Sequence, residues 1–434
     1  MSLLTQRPFL TVFAALLVGL LLGVGLAYFG GPSAADSAGY HFSLEPKRGE
    51  PTEILARFGG DTPARLANIE GKPKNLILLI GDGMGFSQIT AGRMATVGSD
   101  GRLMMERLPV TGWSLTHSKA RTYTDSASGA SALATGVKTA PGRISTDVDG
   151  NPQTTLFEKA QAAGYSVGTV TDSMALDATP AAFLVQSPKR KDYLALARSA
   201  LEMKPDVMIG GLPRPPGQSE TWDSLWDGYE EAGYRRLGPD LDAETFAPVD
   251  DARPVLGLFR RGALADDGGS GLFDAATFAL DRLKTDEDGF MLMVETEETD
   301  SGGHNLDFER LVRGVASLDR VTELAVELAQ ARRDTLIIVT ADHETGGLAL
   351  LRGYEGKPLT VRFATDNHSA EPVPVLAYGP GSEHFMGVLD NAEIGRILSD
   401  LFFPRPQATD PVQNEDAAQD EETPGDGTPK PEAP

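Results

Sequence analysis

The chain has 434 residues, 41% of them hydrophobic, and its 62 acidic and 39 basic residues give a formal net charge of −23. Such an acidic surface argues against nucleic-acid binding, because clustered lysine and arginine side chains are needed to bind nucleic-acid phosphates. The chain has no cysteine, so any zinc ion must be held by histidine and carboxylate side chains. An anionic small-molecule substrate would need a locally positive site, which bound metal ions provide.

The first predicted element is an uncharged apolar run over residues 9–29. As a helix it would be roughly 32 Å long and would match the hydrocarbon core of a bilayer. The small-residue sequence at positions 33–35 would also suit cleavage of a signal peptide. Residues 1–35 are therefore interpreted as a signal anchor or a cleaved signal peptide. Either one exports the rest of the chain to the periplasm or another extracytoplasmic space, and an anchor would keep it attached to the membrane.

Three further regions differ in composition. Residues 36–70 mix glycine, proline and charged residues, and they are predicted to form a linker. Residues 71–404 contain alternating apolar runs and helical stretches, and they are predicted to form one catalytic domain. Residues 405–434 form an acidic, proline-rich tail, with eight acidic residues, one lysine and five prolines after position 406. This tail has almost no large apolar side chain, so it is predicted to be disordered.

Within the central region, strands and helices alternate. Short apolar runs predict strands over residues 75–80, 166–171, 206–209, 290–294, 335–340 and 373–377. Helices are predicted over residues 154–163, 308–329 and 391–401. Strands that are apolar on both faces and alternate with helices indicate an α/β fold, in which helices cover both faces of a mostly parallel sheet.

Side chains that can bind metals follow several of these strands. Asp82, Glu295 and Asp342 each come directly after a predicted strand, and ligands of parallel sheets bind beyond the carboxyl ends of the strands. We therefore expect these three carboxylates to meet at one rim of the sheet. Together with other carboxylate, hydroxyl and imidazole groups they could hold more than one divalent cation. The other candidate ligands are Asp177, Thr179, Asp300, His304, His343 and His368.

Ser126 is a candidate nucleophile, although a serine hydroxyl is weak at neutral pH unless its alkoxide is stabilised. A helix predicted over residues 127–137 would place Ser126 near a helix N-terminus, where partial positive charge favours an anion. A nearby zinc ion would stabilise the alkoxide far more. The alternative is that Ser126 only caps this helix. The chain lacks a G-x-S-x-G elbow at this serine, so a serine–histidine triad is poorly supported.

Two ligand pairs have competing interpretations. Asp300 and His304 would share one face of a helix and could bind one ion, but the glycines at 302 and 303 make a regular helix doubtful. Asp342 and His343 are adjacent, so they would diverge on an ideal strand and converge only in a turn. A solvated turn is the alternative for this pair.

Arg190 lies between two lysines and could be a surface residue. Its functional alternative is a planar guanidinium that binds two oxygens of a phosphoryl group. Glu297, Glu298 and Glu344 lie beside the candidate ligands in the sequence. They are interpreted as solvated groups or as neighbours of the ligands.

Four sequence motifs follow one another along the chain in the order seen in a known family. They are IGDGMG from residue 80, TDSASGASALATGVKT from residue 124, DATPAAF from residue 177 and TADHETGG from residue 340. On these motifs the chain resembles the alkaline phosphatase family from about residue 75 to residue 401. The resemblance implies an alkaline phosphatase-like three-layer α/β/α fold with a mostly parallel central sheet. It also implies two zinc ions, one magnesium ion and usually a homodimer.

The resemblance assigns a role to each candidate residue. Ser126 would be the nucleophile that becomes phosphorylated, and Arg190 would clamp the phosphate while Asp125 orients it. The metal ligands would form three sets: Asp300, His304 and His368 for the first zinc ion; Asp82, Asp342 and His343 for the second; and Asp82, Asp177, Thr179 and Glu295 for magnesium.

The family often carries a large crown insertion between the positions of His343 and His368, but here only 24 residues separate them. We therefore expect a reduced crown, a more open entrance and a less certain dimer. The expected function is that of an exported phosphomonoesterase, which hydrolyses small-molecule phosphate monoesters through a phosphoserine intermediate. Alternatives are phosphodiesterase, sulfatase-like or phosphomutase chemistry, and a non-catalytic protein that binds metal or phosphate.

Overall fold

The structure is a computed structural model. It describes residues 52–54, 57, 59–212, 219–242, 244–247, 251–265, 270–353 and 358–404. The apolar run over residues 9–29 and the acidic tail from residue 405 lie outside the described residues. Among the helices that the structure does describe, none has both the length and the apolar character needed to cross a membrane.

The secondary structure alternates between strands and helices along most of the described chain. The strands are β1 (Thr52–Ile54), β2 (Asn75–Gly81), β3 (Val110–Leu115), β4 (Ser166–Met174), β5 (Val207–Gly211), β6 (Arg235–Leu237), β7 (Val255–Phe259), β8 (Phe290–Thr296), β9 (Thr335–Thr340), β10 (Glu344–Thr345), β11 (Leu348–Arg352), β12 (Leu359–Phe363), β13 (His368–Ser369), β14 (Val373–Tyr378) and β15 (Gly387–Asp390). The α-helices are α1 (Phe86–Thr96), α2 (Ser126–Thr135), α3 (Leu156–Ala162), α4 (Ala178–Leu184), α5 (Tyr193–Met203), α6 (Ser219–Glu231), α7 (Ser270–Leu283), α8 (Glu298–Asn305), α9 (Phe308–Arg332) and α10 (Asn391–Phe402).

Ten strands form one central sheet, in the order β15-β3-β14-β9-β2-β8-β4-β5-β7-β6. Strand β14 is antiparallel to both of its neighbours, and the other neighbouring pairs are parallel. Helices α2 to α6 and α10 contribute to the apolar core on one face, and α7 and α9 contribute to the core on the other. The expected three-layer α/β/α fold with a mostly parallel sheet is therefore confirmed.

Strand β2 shows why the centre of the sheet was predictable. All seven of its residues are buried. Leu76, Leu78 and Ile80 point into one core, and Ile77 and Leu79 point into the other. A strand covered by helices on both faces must be apolar at every position, and this produces the continuous apolar run in the sequence.

The sheet extends beyond the six predicted strands at both edges. Strand β3 was missed because its residues are alternately buried and exposed, which leaves no continuous apolar run. Strands β6 and β15 were missed because they have only three and four residues. Strand β7 is fully buried but is interrupted by Gly257, which weakens the pattern of a strand.

The segment between His343 and His368 forms small antiparallel pairings in its described part. Strands β11 and β12 pair with each other, β1 adds to β12, and β10 pairs with β13. The small sheet packs beside α1, and Leu348, Leu359 and Phe363 bury their side chains there. The compact hairpin agrees with the expected reduced crown.

Candidate active site

Three neighbouring strands bring the expected carboxylates to one rim of the sheet. Strands β9, β2 and β8 are adjacent, and Ile80 on β2 is in register with Thr340 on β9 and Glu295 on β8. Asp82 follows β2 by one residue, and Asp342 follows β9 by two. The carboxyl ends of parallel strands meet at the same edge, so the parallel pairing alone places these side chains together.

The first group of polar atoms surrounds the buried imidazole of His343. Its Nε2 lies 3.3 Å from Asp82 Oδ1, 3.4 Å from Asp342 Oδ2 and 3.3 Å from Ser126 Oγ. Ligand atoms that share one tetrahedral zinc ion are about 3.3 Å apart, given the usual zinc–ligand distances. Among the described residues, Asp82 Oδ1 and Asp342 Oδ2 have no hydrogen-bond partner. Two buried carboxylate oxygens that receive no hydrogen bond are suited to bind a cation.

The second group contains Asp300, His304 and His368. The two histidine Nε2 atoms are 3.1 Å apart, and Asp300 Oδ2 and Oδ1 lie 3.4 Å and 3.6 Å from His304 and His368 respectively. The ring of His368 also stacks on His343, with centroids 3.7 Å apart. His343 therefore belongs to two sets of ligand atoms, each compact enough to hold an ion. One set contains Asp82 and Asp342, and the other contains Asp300 and His368.

Asp300 and His304 lie on a regular helix, α8, so the doubt raised by the two glycines was wrong. Both glycines permit close packing. A Cβ on Gly302 would lie 2.6 Å from the backbone nitrogen of Leu311, and one on Gly303 would lie 2.7 Å from Thr345 Cγ2. The glycines thus let α8 approach its neighbours closely enough to place both ligands.

Backbone carbonyls orient two of the histidines. His304 Nδ1 is 2.8 Å from the carbonyl oxygen of Asp366, and His368 Nδ1 is 2.7 Å from that of Thr124. A carbonyl oxygen only accepts hydrogen bonds, so each Nδ1 must carry the proton and donate it. Each Nε2 then directs a lone pair at the other histidine, which is an arrangement that a shared cation stabilises.

Thr345 performs the same role for His343. Its hydroxyl donates to Asp300 Oδ1 and lies 3.2 Å from His343 Nδ1, from which it can accept a hydrogen bond. Burial also lowers the pKa of His343 well below its ordinary value, so the ring is neutral. The turn after β9 therefore orients both members of the Asp342–His343 pair into the site, and the alternative of a solvated turn was wrong.

The remaining candidate magnesium ligands are Asp177, Thr179 and Glu295. Asp177 Oδ2 accepts a hydrogen bond from Ser173 at 2.9 Å, and Glu295 Oε2 accepts one from Thr171 at 2.5 Å. The hydroxyl of Thr179 is buried and has no hydrogen-bond partner among the described residues. The described carboxylates of Asp82, Asp177 and Glu295 do not form a third group as compact as the other two.

Burial of this many carboxylates raises their affinity for protons. It raises the pKa of Asp342 to about 7, and the charge of Asp300 adds to the effect. Burial and the charges of Asp342 and Asp300 raise the pKa of Asp82 well above its ordinary value. Burial likewise raises the pKa of Glu295 well above its ordinary value. The site therefore has an excess of negative charge that favours cation binding.

Asp125, not Ser126, caps helix α2. The carboxylate of Asp125 accepts hydrogen bonds from the backbone of Ser128 at 3.0 Å and of Gly142 at 2.9 Å. Ser126 is the first residue of the helix, is buried and directs its hydroxyl at His343. The alternative that Ser126 serves as the cap was wrong, and its hydroxyl is available for chemistry.

Arg190 has only 24% of its side chain exposed and forms two ion pairs, so its interpretation as a surface residue was wrong. Its Nη1 lies 3.2 Å from Asp125 Oδ2, and its Nη2 lies 3.3 Å from Asp177 Oδ1. These two carboxylates fix the plane of the guanidinium between the cap of α2 and the start of α4. The remaining N–H groups can then donate to an anion next to Ser126.

Asp172 and the carbonyls that orient two of the histidines had no usable signal in the sequence. Asp172 is buried within β4 and accepts hydrogen bonds from the hydroxyl of Thr296 and the backbone of Glu297, and burial raises its pKa to about 8. Glu344 is also buried and accepts a hydrogen bond from Gln88 at 2.6 Å, so it is not solvated. The carbonyls that orient His304 and His368 were unpredictable because every residue has a carbonyl.

Comparison with known proteins gives consistent matches over most of the chain. A family model described as "Alkaline phosphatase" matches residues 73–210 and 217–365. An alkaline phosphatase from Escherichia fergusonii is 30% identical over 417 residues, covering 78% of this chain and 88% of the relative. Streptomycin-6-phosphate phosphatase from Streptomyces griseus is 31% identical over 401 residues, covering 74% and 88%.

Solved structures show the same similarity. Alkaline phosphatase from the Antarctic bacterium TAB5 has a TM-score of 0.68 and 28% identity, over 77% of this chain and 98% of that one. A variant of that enzyme, solved with magnesium bound in its M3 site, has a TM-score of 0.69 and 29% identity, over 77% and 99%.

The raised carboxylate pKa values predict how zinc affects stability at different pH. Because the folded protein binds the Asp342 proton more tightly, this contribution to stability is present below about pH 4 and is lost as the pH rises through about 7. A zinc ion held by Asp342 would replace that proton, so zinc should stabilise the protein more at pH 8.5 than at pH 5.5. We expect melting temperatures of chelated and zinc-loaded protein to differ by about 5–10 °C at pH 8.5 and by less at pH 5.5.

Two variants control this measurement. Asp342→Asn should reduce the zinc effect at pH 8.5, whereas Glu383→Gln, a change at an exposed carboxylate, should leave it unchanged. A zinc effect that is equal at both pH values, or larger at pH 5.5, would contradict the prediction.

Proposed function

The chain belongs to the alkaline phosphatase family and is a phosphatase of phosphate monoesters; on that premise, we propose that it acts through a phosphorylated Ser126 beside two zinc ions and one magnesium ion. The observation that carries the proposal is the position of the Ser126 hydroxyl. It lies 3.3 Å from His343 Nε2, within the same set of spacings as the Asp82 and Asp342 oxygens. A cation bound by His343, Asp82 and Asp342 would therefore also contact the Ser126 hydroxyl, and such contact would activate this hydroxyl for nucleophilic attack.

The residues of the site fit these ions in their chemistry. Paired histidine Nε2 atoms and unpartnered carboxylate oxygens suit zinc, and carboxylates with a free threonine hydroxyl suit magnesium. Five ligand carboxylates would carry five negative charges against six positive charges on the ions. We assign Asp300, His304 and His368 to the first zinc ion; Asp82, Asp342 and His343 to the second; and Asp82, Asp177, Thr179 and Glu295 to magnesium.

When bound, the ions would lower the pKa of the attacking hydroxyl and stabilise charge on the attacking and leaving oxygens. Ser126 Oγ loses its proton and attacks phosphorus, and the bond from phosphorus to the alcohol oxygen breaks on the opposite side. The alcohol leaves with a proton, and the phosphoryl group remains on Ser126. Water then attacks the same phosphorus atom, which releases inorganic phosphate and restores the serine hydroxyl.

Arg190 accounts for a preference for monoesters. Its guanidinium is fixed by Asp125 at 3.2 Å and Asp177 at 3.3 Å, so its free N–H groups can bind two non-bridging oxygens of the phosphoryl group. A phosphodiester carries a second alcohol on one of its oxygens and would bind this fork less well. This contact favours phosphomonoesterase over phosphodiesterase chemistry.

Replacing the nucleophile tests the proposed intermediate. Ser126→Ala should lower kcat for p-nitrophenyl phosphate by a factor of about 10³ or more, because it removes the hydroxyl that would attack phosphorus. Zinc content, measured by elemental analysis, should stay near that of the unmodified protein. Acid-quenched protein incubated with labelled substrate should carry the label on Ser126.

Ser199→Ala on helix α5 is a matched control and should keep full activity. Unchanged turnover in Ser126→Ala, or a label on another residue, would refute the assignment of the nucleophile.

We further propose that two copies associate through an exposed apolar patch at the β3–β15 edge of the sheet. The patch contains Phe86, Trp113 and Val388, whose exposed fractions are 40%, 48% and 61%. The rings of Phe86 and Trp113 are 5.8 Å apart, and Trp113 is in register with Val388. Apolar side chains that cluster at a surface in this way are typical of interaction sites.

Sedimentation velocity can test this dimer. The unmodified protein should sediment as a dimer at micromolar concentration, and Val388→Lys should shift it to a monomer because a lysine charge would be buried. Leu351→Lys alters a similarly exposed apolar residue on β11 and should remain dimeric. A monomeric unmodified protein, or an unchanged mass in Val388→Lys, would refute the proposed interface.

We also propose export, because residues 9–29 form an uncharged apolar run long enough to be a signal anchor or a signal peptide. Fractionation of cells that produce the full chain should place phosphatase activity outside the cytoplasm, and a chain that begins at residue 36 should remain inside. Mass spectrometry of the exported protein should show whether residues 1–35 are retained as an anchor. Full activity in the cytoplasmic fraction of cells with the full chain would contradict export.

A further inference from the structure

The charge distribution changes sharply around the nucleophile. Residues 107–146 contain five basic residues and one acidic residue, Asp125, within a chain whose formal net charge is −23. The stretch flanks helix α2 on both sides, so it surrounds Ser126 in sequence. Local positive charge beside a site raises the local concentration of anions even on an acidic protein. The five basic residues are Arg107, Lys119, Arg121, Lys138 and Arg143.

The loop before Ser126 is held in place by its own hydrogen bonds. The backbone and hydroxyl of Ser118 both donate to the carbonyl of Tyr123, at 3.3 Å and 3.1 Å. The backbone of Lys119 donates to the carbonyl of Thr139 at 2.9 Å, and the backbone of Arg121 donates to the hydroxyl of Ser118 at 3.2 Å. These contacts organise the loop before any ligand binds, which lowers the entropic cost of binding.

Arg121 lies at the exposed part of this loop. Its guanidinium is 5.6 Å from the centroid of the Tyr123 ring, and its Nη1 donates to the Tyr123 hydroxyl at 3.2 Å. Neither Arg121 nor the exposed Lys119 forms an ion pair with any carboxylate that the structure describes. One of the five N–H groups of Arg121 is thus engaged with tyrosine, and others can donate to an anion.

The loop continues directly into the wall of the site. Tyr123 is three residues from Ser126, so their Cα atoms are at most about 11 Å apart. The next carbonyl, that of Thr124, orients His368, whose Nε2 is 3.1 Å from that of His304. His304 has 37% of its side chain exposed, so this side of the site is open to solvent. A leaving group that points away from Ser126 would extend through this opening.

We propose that Arg121, supported by Tyr123, binds a second anionic group on the alcohol part of the substrate. The enzyme then prefers phosphate monoesters whose leaving group carries a carboxylate or a second phosphate over those whose leaving group is neutral. Lys119 adds positive charge to the same loop. The inference rests on the proposed phosphomonoesterase function and deepens it by naming the substrate class.

A matched pair of substrates tests the preference. Phenyl phosphate and 4-carboxyphenyl phosphate have the same ring, and only the second carries a distal carboxylate. In Arg121→Ala, the ratio of kcat/KM for the carboxylated substrate to that for phenyl phosphate should fall about five- to tenfold relative to the unmodified enzyme. The loss should lie mainly in KM, because the contact exists in the ground state and in the transition state.

Four further measurements sharpen the test. Arg121→Lys should keep part of the preference, and Tyr123→Phe should reduce it by a smaller factor because the ring remains. Arg198→Ala removes one exposed positive charge on helix α5 and should leave the ratio unchanged. In 0.5 M sodium chloride, the ratio for the unmodified enzyme should approach that of Arg121→Ala, because salt screens exposed charges.

The outcomes separate this inference from the proposed function. If Arg121→Ala hydrolyses both substrates with the unmodified ratio, the subsite is refuted while the phosphatase function stands. An equal fall in the ratio for Arg198→Ala would also refute the subsite, because net charge would then be the cause. If the unmodified, metal-loaded enzyme hydrolyses neither substrate, it is the proposed function that fails.

Discussion

The fold buries several carboxylates together at one rim of the sheet, and the repulsion among them is the constraint on which the chemistry of the site depends. Burial raises the pKa of Asp82, Glu295 and Asp342, because a charged carboxylate is poorly solvated there and faces others of the same sign. Hydrogen bonds from the described residues leave Asp82 Oδ1 and Asp342 Oδ2 unsatisfied. Divalent cations are the simplest groups that can neutralise this charge, and the neutral histidines beside them supply further ligands.

The elements around the site hold these groups at ligand distances before any ion binds. Gly83 has a φ of +72°, and a Cβ there would lie 2.8 Å from Asp300 Cα, so glycine lets the turn after β2 approach helix α8. The two carbonyls behind His304 and His368 set which nitrogen of each ring carries the proton. Such support reduces the reorganisation needed when metal and substrate bind.

Electrostatics on two scales explains how an acidic protein can bind anionic substrates. The whole chain repels phosphate esters at long range, and salt screens this repulsion beyond about 10 Å. Close to Ser126, bound divalent cations would offset the charge of the buried carboxylates, and the fixed guanidinium of Arg190 and the basic loop with Arg121 add positive charge beside them. Affinity and selectivity therefore depend on a few positions near the site rather than on the net charge.

The sequence alone determined the central strands and the long helices, because strands buried on both faces must be apolar throughout. It also determined the polar residues at the strand ends, because they lie in motifs that follow one another in the order seen in a known family. It could not decide whether α8 is regular, whether the Ser126 hydroxyl faces a metal-ligand cluster, or whether Arg190 is a surface residue. Each of these depends on contacts between residues far apart in the chain: Gly303 with Thr345, Ser126 with His343, and Arg190 with Asp125 and Asp177. Only tertiary packing brings such partners together, so a local sequence pattern cannot predict these contacts.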